Sequence, residues 1–148
     1  MYLLWYTEVS LKEPERRGGV PGSGAVNPNE SGKRVPAIFF RTEAGREPVR
    51  DWLKALPYAD DRKRIGEDIK TVEFGWPMGM PVCRPLGQGL YEVRTHLTHN
   101  RIARVLFYMD RAGRMVLLHG FIKKTQKTPD EDLALGRRNK EKHERGMR

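Results

Sequence analysis

Arg94 and Arg104 are the residues of this chain whose type and spacing most plainly invite chemistry. Each sits in a run that alternates polar and apolar side chains, LYEVRTHL from Leu90 to Leu97 and RIARVLFYMD from Arg101 to Asp110. Alternate side chains of a strand share a face. Arg94 therefore shares a face with Leu90, Glu92 and His96, and Arg104 with Leu106 and Tyr108. A short THN turn joins the runs, so the two arginines are expected on adjacent strands and on the same side. A third run, RMVLLHGFIKK, ends on Lys123 and Lys124, with Lys127 close behind. Arg84, Arg101 and either His96 or His119 extend the basic patch. A guanidinium is a fixed fork for two phosphate oxygens. A set of this kind suits ribonucleolytic chemistry without a metal. The ribose 2′-OH is activated against the adjacent phosphate, cationic groups stabilise the charge that builds there, and a His or a Lys of lowered pKa moves protons.

Blander readings fit the same residues. Arg94 and Arg104 suit phosphate binding without catalysis, and His119, in an apolar run, suits a satisfied core histidine. Tyr91 reads as core, while Tyr108 is placed either to stack on a base or to line an edge. The sequence carries no nucleophile elbow, P-loop, HExxH or paired CxxC. Glu92 and Asp110 are the only acidic residues of the three runs, too few for a two-metal nuclease centre. No cofactor or metal is expected.

Charge singles out the same stretch. The formal net charge is +9 over 148 residues. Residues 80–128 hold nine basic and two acidic residues, net +7, while residues 35–79 hold eight of each. A field concentrated on one structural element favours a polyanionic partner. The single cysteine, Cys83, leaves no internal disulfide, and no apolar run approaches the roughly 20 residues of a membrane span. A cytoplasmic protein without membrane contact is expected.

These strands need support, and the preceding residues supply it. VPAIFFR, residues 35–41, is a strand candidate. Pro48 suits a first helical turn, and Val49, Trp52, Leu53 and Leu56 make one apolar stripe before Pro57. A second helix is expected from about Ala59 to Phe74, with Asp60 and Asp61 in its first turn and Ile65, Ile69 and Val72 as its stripe. Thr128 as N-cap, Pro129 at N1 and Glu131 closing a capping box signal a last helix from about 129. It turns almost wholly charged from Arg137 and is expected to fray. The Gly-, Pro- and Ser-rich residues 1–34 read as an irregular or disordered extension, leaving 35–148 as the domain. The predicted order is β-α-α-β-β-β-α, an α+β fold. A helix hairpin covers one face of a small mixed sheet, and the other face, with Arg94 and Arg104, is left open.

The combination LYEVR, RIARVLF and LLHGFIKKTQKTP, with PVRDWLKAL upstream, resembles the HigB-type, phage Gp49-like branch of the RelE/ParE toxin superfamily, over about Val35 to Lys140. The resemblance implies a RelE-like fold and the toxin of a type II toxin–antitoxin pair. It implies an mRNA endoribonuclease working on the ribosome and restrained by a small antitoxin, often of helix-turn-helix type. The family's basic positions fall on Arg94, Arg104 and Lys124 as catalytic candidates. Its additional basic position is taken by Glu92, and its C-terminal tyrosine has no counterpart after Lys124. Because HigB toxins often use histidine, His96, His119 and Lys123 are further catalytic or RNA-binding candidates. Arg84, Arg101 and Lys127 are candidates for RNA contact. A ParE-like gyrase-binding toxin and a non-catalytic RNA-binding module are the rival readings.

Overall fold

The alternating runs pair as their patterning requires. In the computed structural model, which describes residues 32–146, Leu90–His96 (β3), Ile102–Met109 (β4) and Met115–Lys123 (β5) form consecutive antiparallel strands. Ala37–Phe39 (β1) joins β5 in parallel, and Pro36 O accepts Met115 N–H at 2.8 Å where the strand begins. One strand lies outside the expected order. Cys83–Gly87 (β2) pairs antiparallel with β3, so the sheet has five strands in the order β1-β5-β4-β3-β2. Its CRPLG sequence hides it, because proline does not donate to a ladder. An edge strand tolerates that loss, and here the register shifts between Pro85 and Gly87.

The helix hairpin matches its sequence signals. Pro48–Ala55 (α1) starts on Pro48, and Ala59–Gly75 (α2) carries Asp60 and Asp61 in its first turn. Val49, Leu53, Ile65, Ile69 and Val72 are buried against Val93, Ala103, Val105, Phe107 and Leu117 on one sheet face. Trp52 lies over Gly120 so closely that a Cβ there would meet its ring at 2.4 Å.

The opposite face is not open. Asp130–Gly146 (α3) lies across it and completes a second core of Ile38, Phe40, Leu90, Leu106, Tyr108, Val116, Leu118 and Phe121, to which Leu133 adds. The helix runs through the charged stretch as far as Gly146. Polar bonds take the place of the missing apolar stripe. Asn139 Nδ2 donates to Leu118 O at 2.9 Å, Arg137 Nη2 to Leu86 O at 3.2 Å, and His143 Nδ1 lies 2.6 Å from Tyr108 Oη. Gly136 brings the helix in close, since a Cβ there would fall 2.7 Å from Leu106 Cδ1. Thr128 and Glu131, expected to form a capping box, turn instead to Glu92 and Lys123. The expected extension over residues 1–34 falls outside the described residues as far as residue 31. Gly32 to Arg34 pack at the end of α2, where Glu73 O accepts Arg34 N–H at 2.7 Å. No described helix is long and apolar enough to cross a membrane.

Candidate functional site

Arg94 and Arg104 are directly opposed across β3 and β4, on the face that α3 covers. Glu92 precedes Arg94 by two positions and so shares its face, and Arg84 opposes Glu92 from β2. The three guanidinium groups gather round one Glu92 oxygen, with Arg94 Nη1 at 3.0 Å and Arg104 Nε and Arg84 Nη1 at 4.0 Å. The other Glu92 oxygen accepts the Thr128 hydroxyl at 2.8 Å. Glu92 and Arg104 are wholly buried and Arg94 nearly so, while Arg84 is partly exposed.

The segment from Lys124 to Thr128 passes over this cluster with the Thr125 and Gln126 carbonyls turned inward. Gln126 O accepts from Arg104 at 3.1 Å, Arg84 at 3.3 Å and Arg94 at 3.5 Å, and Thr125 O accepts from Arg104. The Lys124 and Lys127 side chains are exposed on that segment, outside the arginine cluster. One carboxylate faces three guanidiniums, so the cluster keeps an excess of positive charge. Arg104 shows the cost most directly, because its Nε and Nη1 are buried without a hydrogen-bond partner. Burial pushes its pKa down, against the pull of Glu92 and with help from Arg94 and Arg84. A buried cationic donor left unmet is costly, and an anionic oxygen within reach would meet it.

Beyond Arg104, Phe121 opposes it from β5 with the guanidinium carbon 5.9 Å from the ring centre. The His119 imidazole stacks on the same ring, 5.5 Å between centres at 27°. His119 Nε2 lies 2.7 Å from Oδ1 of Asp132, in the first turn of α3, and Lys123 Nζ is 3.2 Å from Oδ2. Lys123 also pairs with Glu131 at 3.2 Å. Asp132 first, then Glu131, raise the Lys123 pKa, the opposite of what a proton-moving lysine needs.

A profile for phage derived protein Gp49-like (DUF891) matches residues 51–141. The chain belongs to this family. The Gp49-like family falls in the RelE/toxin-like group and is associated with the toxins of toxin–antitoxin pairs, which implies an antitoxin partner. No curated protein matches the chain. The matched span takes in every candidate side chain from Arg84 to Asp132.

Within this Gp49-like domain, Arg101 and His96, like Lys124 and Lys127, stand apart from the arginine cluster. Arg101 is held by Asp61 of α2, Nη1 to Oδ2 at 2.8 Å and Nη2 to Oδ1 at 3.2 Å, and its Nε donates to Thr98 O at 3.0 Å. It fastens the β3–β4 turn to α2 and lies away from the basic patch that it was expected to extend. His96 is exposed at the end of β3, on the rim of a hollow of about 430 Å3 that Arg94, Arg64 and Asp68 also line. Burial, above all, raises the Asp68 pKa there. Two residues escaped the sequence reading. Thr128 reads in the sequence as a cap, and Asp132 carries no signal of its own there. Their roles depend on how α3 docks, which no local pattern encodes. Among the described residues no group of three or more His, Cys, Asp and Glu side chains gathers as a metal site.

Proposed function

We propose that this chain is a toxin of the HigB kind, a ribosome-associated endoribonuclease that cuts mRNA with guanidinium groups rather than a metal supplying the positive charge. The observation that carries the reading is the buried Arg104 fork with two unmet donors, set beside Arg94 and Arg84 over a single carboxylate. In the reaction a phosphodiester of the message exchanges with the Thr125 and Gln126 carbonyls that now occupy these arginines. A phosphate oxygen carries formal charge and a carbonyl oxygen does not, so the exchange is favoured where water is excluded. Arg94 and Arg104 then face the phosphorus as charge grows on its oxygens, the effect that such preorganised donors serve best. His119, stacked on the Phe121 ring that Arg104 also approaches, takes the 2′ proton in this reading.

Expression from a tightly controlled promoter tests the assignment. The wild-type chain should arrest growth and leave new mRNA 5′ ends within coding sequence, and Arg94→Ala should abolish both. Arrest with DNA breaks and no new mRNA ends would point to gyrase instead. An absence of arrest would leave a non-catalytic RNA-binding protein.

A further inference from the structure

The geometry points to Asp132 as the positioning residue for His119, an inference that rests on the ribonuclease reading above. Three observations meet at this carboxylate. Asp132 is only 6% exposed, yet it reaches from α3 to His119 on β5 and bonds Nε2 at 2.7 Å. Its second oxygen faces Lys123 Nζ at 3.2 Å, so the carboxylate stands between an imidazole and an ammonium. It also lies in the first turn of α3, where the helix dipole favours an anion.

An ionised carboxylate accepts and does not donate. The proton of a neutral His119 ring must therefore sit on Nε2, which leaves the lone pair on Nδ1. Nδ1 has no hydrogen-bond partner among the described residues, and the side chain is 18% exposed. The stack on Phe121 fixes the plane of the ring and keeps it on the aromatic surface that Arg104 also covers. The 2′-O–H bond breaks and its proton passes to Nδ1; the 2′ oxygen bonds phosphorus. The P–O5′ bond breaks, the departing 5′ oxygen takes a proton from water, and the hydroxide left takes the proton back from Nδ1. The products are a 2′,3′-cyclic phosphate and a 5′-hydroxyl end. Asp132 touches none of the reacting atoms. It sets the tautomer and steadies the imidazolium that forms, which is how a carboxylate serves a histidine base in general.

The plainer role for this contact is to pin α3 to the sheet. The Asp132→Asn substitution separates the two, because it keeps size and hydrogen bonding but lets an amide N–H face Nε2 and drive the ring to the other tautomer. The full-length protein would be compared with Asp132→Asn, His119→Ala and the double variant in single-site cleavage on programmed ribosomes. Imidazole 15N shifts would be read in the free proteins. The expected result is a kcat lower by about 10- to 100-fold in Asp132→Asn with little change in KM. No further loss should appear when it is added to His119→Ala, and the 15N signature should move from protonated Nε2 towards protonated Nδ1. Wild-type kcat in Asp132→Asn, losses that multiply in the double variant, or an unchanged tautomer would each overturn the inference while leaving the ribonuclease reading intact. If the wild-type chain cuts no message, that reading fails and this one with it.

Discussion

Glu92, which stands where a basic residue was expected, is wholly buried among Arg84, Arg94 and Arg104. A lone acid there does not weaken the basic cluster so much as make it possible, because three guanidiniums packed without any counter-charge would repel one another. Removing one partner from a buried ionic group leaves the others uncompensated, at a cost of about 3–5 kcal/mol. Glu92→Gln should therefore lose about that much stability, read as a shift in the urea midpoint with an unchanged slope. A variant as stable as the wild type would mean that the guanidiniums do not depend on this carboxylate. Much at this scale was legible in the sequence. Alternation put Glu92, Arg94 and Arg104 on one face, and the pairing of Arg94 with Arg104 bears that out. Their burial was not legible, because the cover is a helix with little apolar surface and a loop that presents backbone carbonyls, neither of which leaves a hydrophobic pattern.

Among the elements, α3 departs furthest from its sequence signals. A charged helix reads as a solvated tail, yet this one holds the second core through Asn139, Arg137 and His143 and by the close approach of Gly136 to Leu106. The strand that was missed, β2, failed for a related reason, since Pro85 breaks the strand pattern but not an edge. The α1–α2 hairpin, with its regular apolar stripes, was read correctly. The far end of α3 makes a pH prediction. Burial chiefly holds the His143 pKa below the ordinary histidine value, helped by Arg114 and opposed by Asp110 and Glu144. The Tyr108 phenol, pushed up to about 12 mainly by burial, stays protonated, with its oxygen 2.6 Å from Nδ1 of the neutral ring. With a folded pKa below the unfolded one, the unfolded chain binds the extra proton. The stability from this group is full above the unfolded value and is lost as pH falls through the folded one. The melting temperature should drop as pH falls below the ordinary histidine value of 6.5, and His143→Gln should flatten that slope. An equal slope in both proteins would mean that the imidazole does not titrate with unfolding.

At the scale of the whole molecule, the surplus charge and the candidate chemistry fall in the same third of the chain, on a sheet closed by helices on both faces. Family membership gives the toxin class, while the arginine cluster supports the narrower reading of an RNA phosphate exchanging with the Lys124–Thr128 segment. Guanidinium-assisted attack by the ribose itself makes a sharp demand, because the nucleophile belongs to the substrate and the fork to Arg104. The most direct measurement is therefore the cleavage rate on programmed ribosomes of a message carrying a single 2′-deoxynucleotide at the cut site, taken alongside Arg104→Lys acting on the unmodified message. No cleavage is expected at the deoxy position, and a loss of about 100-fold or more is expected with lysine, which keeps the charge but not the fork. Cleavage of the deoxy site, or a full rate with Arg104→Lys, would contradict guanidinium-assisted attack by the ribose.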